Sequence, residues 1–269
     1  MSQVHSYEYP IEDQSESLTL SDKLAGVFTE PNALFLKISD QKSSSANWLI
    51  PIITLIVISV LSNYLLMSNP IIKDQVIGKQ MAVIEENFEK AVESGQITQA
   101  VADQQLAQFR ASLEEQIDSG ILINAAVVVI ITFLLFFIVA GVFYGISKIL
   151  FNGQGSYSTA LTAYGLPYYI LILQVLAILI YALATDTFLT GINLAVFMDA
   201  DKKDFPGFLL SKIDPFSIWF YFVVGIGLAR MFKSTTVWKY ITGVFSLWFG
   251  FSLIFFFVAK EVPLLQMMI

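Results

Sequence analysis

Residues 121–150 read ILINAAVVVIITFLLFFIVAGVFYGISKIL, a run in which Lys148 is the only charged side chain. Crossing about 30 Å of hydrocarbon at helical rise takes about 20 mostly apolar residues. This one stretch is long enough to cross, and four others flank it: Trp48–Met67, 160–184, Pro215–Phe232 and 238–259. The whole chain has 56% hydrophobic and 14% charged residues, with mean hydropathy +0.68. The expected fold is therefore all-α: a polytopic membrane helical bundle of five transmembrane helices within residues 43–269. With about 110 residues in the bilayer, too little remains for a conventional soluble domain.

Several function classes are excluded or weakened by composition. There is no cysteine, which removes disulfides, thiolate metal sites and cysteine catalysis. The single histidine, His5, lies in a polar stretch and cannot by itself build a proton relay or a His-ligated metal centre. A net charge of −7 argues against nucleic acid as a partner. No catalytic residue, cofactor site or metal site is expected. Residues 1–47 do not read as a signal peptide, being acidic and polar up to the first apolar run at Trp48.

Outward from the apolar runs, residues 1–17 carry Glu8, Glu12, Asp13 and Glu16 and read as a disordered tail. Residues 18–42 place Leu20, Leu24, Val27 and Phe28 before a break at Thr29–Pro31, then Leu34, Phe35 and Ile38 after it. Thr29 suits an N-cap with Pro31 in the first turn. The expectation is two amphipathic helices lying in the interface, with Lys37 and Lys42 near lipid headgroups.

Between the first and second runs, residues 70–120 change character. Ile77, Met81, Ile84, Phe88 and Val92 form one helical stripe, and Val101, Leu106, Phe109, Leu113 and Ile117 form another. Gly95 suits a helix C-terminus and Thr98 the next N-cap. This predicts an extramembrane helical hairpin with arms of about 33 Å that prolong the first two spans. Its outer face, with Glu85, Glu86, Glu89, Glu93, Glu114 and Glu115, is a solvated or partner-docking surface.

The remaining motifs are punctuation and packing. Gly141 and Gly145 have the small-xxx-small spacing that permits close helix approach, within the bundle or between copies in a homo-oligomer. Gly225/Ala229 and Ser246/Gly250 repeat that spacing. NGQGSYS at 152–158 is a turn cluster, not a phosphate loop, since no strand precedes it and no Lys-Ser/Thr follows. Pro167 is expected to bend or loosen the start of the third span, and Gln174 brings an amide to its middle. Residues 188–198 are apolar but too short to span, which suits interfacial or re-entrant packing. DADKKD at 199–204 lacks the glycine and the final glutamate of a calcium loop. Asp214 and Pro215 start the fourth span as cap and first residue, and Lys212 and Arg230 must snorkel outwards for it to cross.

Short membrane-adjacent loops carry the orientation signal. On the N-terminal side, Lys148, Arg230, Lys233 and Lys239 lie in two short loops without an acid, while the opposite side holds 15 of the 22 acids. The N-terminus is expected in the cytoplasm and the C-terminus outside.

Phe28, Pro31, Leu34, Phe35 and Ile38 form an FxxPxxLFxxI segment before the first span. NGQGSYSTALTAYGLPYYIL leads into the third span through Tyr164, Gly165 and Pro167. DPFSIWFYFVVGIGLARMFK and TVWKYITGVFSLW close the chain. Together these resemble bacterial members of the Yip-domain family of five-span membrane proteins over about residues 18–260, with the hairpin as an insertion. The resemblance implies the five-span architecture, a bacterial inner membrane and a Gly-Tyr element at Tyr164–Pro167. Eukaryotic relatives are associated with vesicle traffic and Rab-type GTPase binding, but their acidic DLxGP-type motif is absent here. The expected function is a non-enzymatic scaffold, partner-binding or bilayer-organising protein. Its partners would be membrane lipids and a protein docked on the N-terminal segment or the hairpin. The alternative is a transporter of small molecules or lipids using the kinked third span.

Overall fold

The computed structural model describes residues 18–119 and 121–262, and among them every regular element is helical. His5 and the tail at 1–17 lie outside the described residues. Helix α1 (Leu20–Thr29) and α2 (Pro31–Asp40) form a tight pair. They precede α3 (Ala46–Met67), α4 (Pro70–Glu93), α5 (Gln99–Ser119) and α6 (Ile121–Gly145). A single π turn over Ile146–Leu150 ends α6. Then come α7 (Tyr157–Gly165), α8 (Tyr168–Thr185), the short α9 (Leu194–Phe197) and α10 (Phe205–Ser211), α11 (Pro215–Met231) and α12 (Val237–Glu261).

Among the described residues, four helical segments are long and apolar enough to cross a membrane: Ala46–Met67, Ala125–Leu150, Tyr157–Thr185 and Val237–Glu261. The fourth expected span is different. α11 reaches spanning length only together with α10, which joins it at a 62° bend. It is also deeply buried, with Phe220, Val223 to Ala229 and Met231 all enclosed. A helix that is apolar all round belongs inside a bundle. Helices α2, α7, α8 and α12 surround α11. Gly225 and Gly227, two positions apart and so about 200° apart around the axis, face opposite neighbours. A Cβ on Gly225 would stand 2.7 Å from Ile241 Cα of α12, and one on Gly227 2.8 Å from the Phe35 ring of α2.

The N-terminal helices occur with the expected break, and part of their apolar face packs on the bundle while Leu20 and Leu24 stay exposed. Val27 and Phe35 are fully buried, Leu34 and Ile38 nearly so, and all four join the main core. Phe28 meets the Trp219 ring of α11 at 5.5 Å. Gly26 lets the hairpin close, since a Cβ there would lie 3.0 Å from Leu34. The basic end of α11 clamps the pair: Arg230 Nε donates to Asn32 Oδ1 at 2.6 Å, and Lys233 Nζ donates to Asp40 Oδ1 at 2.7 Å and to the Ser39 carbonyl at 3.0 Å.

α4 does not continue α3. Ser68 and Asn69 break the two, and Asn69 Oδ1 accepts from the Ile71 and Ile72 amides as the new N-cap. α4 and α5 pair along their stripes, with Phe88 and Phe109 edge-on at 6.1 Å and Arg110 bridging to Asp74 at 2.7 Å. At the base of this arm, Gln75 exchanges two hydrogen bonds with the loop after α8: Nε2 donates to the Asp186 carbonyl at 2.7 Å, and Oε1 accepts from the Phe188 amide at 2.8 Å.

The other apolar run and the calcium-like loop take capping roles. Only Leu194–Phe197 of residues 188–198 is helical. In the DADKKD loop, Asp201 Oδ1 accepts from the Lys203 amide and Asp204 Oδ1 caps α10 through the Gly207 amide.

Candidate functional site

The third span begins with a reciprocal cap. Ser156 Oγ accepts from the Thr159 amide at 3.3 Å and Thr159 Oγ1 accepts from the Ser156 amide at 3.1 Å. The preceding Gly-rich turn docks on the α11–α12 corner, where the Gln154 amide donates to the Phe232 carbonyl at 2.9 Å. Every residue from Ala160 to Gly165 is buried, so α7 enters the core at once.

At Leu166–Pro167 the helix breaks. Pro167 has no N–H, so Ala163 loses its helical donor, and that carbonyl oxygen lies where a Cβ on Gly227 would be 3.1 Å away. Hydrogen bonding resumes with tighter turns, the Tyr169 amide reaching Leu166 and the Ile170 amide reaching Pro167. Gly165 sits against α3: a Cβ there would stand 2.5 Å from Trp48 Cβ and 2.9 Å from Trp48 Cα. Tyr164 stacks on Phe136 of α6 at 5.4 Å and meets Tyr168 and Phe220 edge-on at 5.5 and 5.8 Å. The break thus lies inside an aromatic cage drawn from α3, α6, α8 and α11.

Gln174, two turns beyond the break, reaches the start of α11. Its Nε2 donates to Asp214 Oδ2 at 2.9 Å. The same oxygen accepts from Ser217 Oγ at 2.9 Å, while Oδ1 accepts from the Phe216 and Ser217 amides at 2.9 and 3.3 Å. A carboxylate has about four acceptor positions, and here four donors fill them. Asp214 is only 8% exposed. The sequence marks Asp214 only as the cap of the fourth span, a role it fills; the structure adds that the carboxylate is buried and bonded to the third span. With its acceptor positions filled, Asp214 fastens the third span to the fourth.

The other singled-out residues lie apart. The nearest atom to a Cβ on Gly141 would be the Tyr157 ring at 4.0 Å, and a Cβ on Gly145 would meet nothing within 4 Å. That face is not a close helix contact within the chain. Tyr164, Gly165 and Pro167 come together at the break, with Gln174 beyond them. The reading missed Trp48 and Phe136 as cage walls and Asp214 as the partner of Gln174. The Asp-Pro pair signalled a cap, but nothing in the sequence pairs two residues 40 positions apart. Among the described residues, no group of three or more His, Asp or Glu side chains is placed to hold a metal ion.

A Yip1 domain family model matches residues 25–259, taking in the N-terminal hairpin, the broken third helix and the closing helices. The chain belongs to the Yip1-domain family. No curated protein and no solved structure matches it. The matched span begins within α1, so the domain includes the hairpin packed on α11.

Proposed function

We propose that this Yip-domain protein is a non-enzymatic membrane scaffold that presents a docking arm, α4–α5, to a protein partner while the bundle serves as its lipid-embedded base. The observation that carries this reading is how the arm is held. Its lower part is braced by Gln75 and by Lys79, whose ammonium lies 5.2 Å from the Phe188 ring, and Lys203 approaches Glu86 at 3.9 Å. Beyond Glu86 the two helices stack only on each other among the described residues. α4 alone is 24 residues, about 36 Å at helical rise. A strut that is fixed at its base and bare at its acidic end suits a partner with a basic face.

The N-terminal segment offers less, because Val27, Leu34, Phe35 and Ile38 are buried in the bundle. We place the protein in a bacterial inner membrane with five spans, the α10–α11 pair serving as the fourth, and with the N-terminus cytoplasmic. Replacing residues 76–117 by a short Gly-Ser linker tests the proposal. The bundle should insert and remain monodisperse in detergent while the cellular function is lost. A linker variant that keeps full function would overturn it.

A second reading is a transporter, favoured by the buried Asp214 between two interrupted spans, since broken helices mark substrate sites in many carriers. Asp214→Asn keeps the cap geometry. Loss of uptake with unchanged folding would favour the transporter over the scaffold.

A further inference from the structure

A cleft of about 540 Å³ opens on the surface of the bundle between α6 and α12, within the size range of small-ligand pockets. α6, packed on α7 and α3, forms one wall, and α12, packed on α11, forms the other. The interior is apolar, with Phe143 at the inner end and Leu247 to Phe256 along α12, a length of about 13 Å at helical rise. Two cations mark the outer end, Lys202 of the loop before α10 and Lys212 between α10 and α11.

Neither lysine makes an ion pair among the described residues. Lys202 Nζ donates to Thr190 Oγ1 at 3.3 Å, and Lys212 Nζ stands 4.9 Å from the Phe208 ring. Three nearby acids act as caps: Asp201 accepts from the Lys203 amide, Asp204 from the Gly207 amide and Asp214 from the Phe216 amide of α11. Burial pushes Lys202 below its ordinary value, followed by the charge of Lys79. An anion at this end would offset both effects.

We propose that the cleft holds one acyl chain of an anionic phospholipid whose phosphate rests on Lys202 and Lys212. The occupant follows from charge and shape together. A soluble anion would satisfy the lysines and leave the apolar channel empty; an uncharged lipid would fill the channel and leave two half-buried ammonium groups without a counter-charge. The proposal is independent of any partner on the α4–α5 arm.

The test uses the full chain in detergent micelles, titrated with phosphatidylglycerol or phosphatidylcholine and read by native mass spectrometry. The first phosphatidylglycerol should bind roughly tenfold or more tightly than phosphatidylcholine, the scale of two lysine contacts at a lipid surface. Lys202→Gln with Lys212→Gln should erase that preference, and Ser252→Phe, which grows into the cleft, should weaken both lipids. Millimolar inorganic phosphate should not displace the bound lipid. Equal affinity of the unmodified chain for both lipids would overturn the proposal, even if the variants fail to fold. So would a preference that survives the double substitution, undiminished binding to Ser252→Phe, or displacement by inorganic phosphate.

Discussion

Replacing Gly165 by Ala probes the junction on which the third span turns. The new Cβ would stand 2.5 Å from Trp48 Cβ and 2.9 Å from Trp48 Cα. The second atom is backbone, so a side-chain rotation cannot relieve the clash, and α3 and α7 must separate. Overpacking of this kind costs about 1–3 kcal/mol. The clash with backbone puts the cost in the upper part of that range, about 2–3 kcal/mol; alanine recovers up to about 1 kcal/mol over glycine in a helix, leaving a net loss of about 1–2 kcal/mol. Gly141→Ala is the matched control, because its nearest contact would be an ordinary 4.0 Å; it should be neutral or slightly stabilising. Unfolding of both variants in mixed micelles, followed as the denaturing detergent fraction rises, gives the comparison. Equal midpoints for Gly165→Ala and the unmodified chain would refute the close approach of α3 and α7. A destabilised Gly141→Ala would show that this face meets another helix, as in a dimer.

Gln174→Leu should cost about 1 kcal/mol, since Asp214 loses one donor and keeps three, and Asp214→Ala about 2–4 kcal/mol, since a cap and a buried bond go together; a double-mutant cycle in the same assay should find the two residues coupled. Phe35→Ala should destabilise by about 3–5 kcal/mol and expose residues 18–42 to protease, as limited digestion would report. The Asp40 carboxyl is held below its ordinary value of 3.8 first by the hydrogen bond from Lys233 and then by that residue's charge. Its contribution is therefore present above that value and fades as pH falls through the lower, folded one. Protease sensitivity of α1–α2 should rise there and less so in Lys233→Gln.

The membrane character, the helical arm and the break at Pro167 were legible because each rests on local chemistry: apolar run length, a single stripe per arm and a missing N–H. The fourth span looked weakest in sequence, with only 15 uncharged residues from Pro215 to Ala229. It occupies the centre because a helix shielded by neighbours need not satisfy lipid along its full length. The small-xxx-small spacing misled for a related reason. The same spacing recurs at Gly141/Gly145, Gly225/Ala229 and Ser246/Gly250, but of these glycines only Gly225 meets a neighbouring backbone. Spacing says that a close approach is sterically possible, while the choice of partner depends on contacts between distant positions. The N-terminal helices were readable as amphipathic, yet amphipathicity alone does not distinguish a lipid surface from the flank of α11. The bond between Gln174 and Asp214 is equally non-local.

Because the chain has no cysteine, single cysteines can be introduced without background, and their accessibility tests the bundle most directly. Val27, Phe35, Val224 and Leu228, each replaced in turn, should resist a water-soluble maleimide in native membranes, while Ser94 at the bare end of the arm reacts rapidly. If cysteines at 35 and 224 reacted as fast as the one at 94, α2 would not be packed on α11 and the bundle described here would be contradicted.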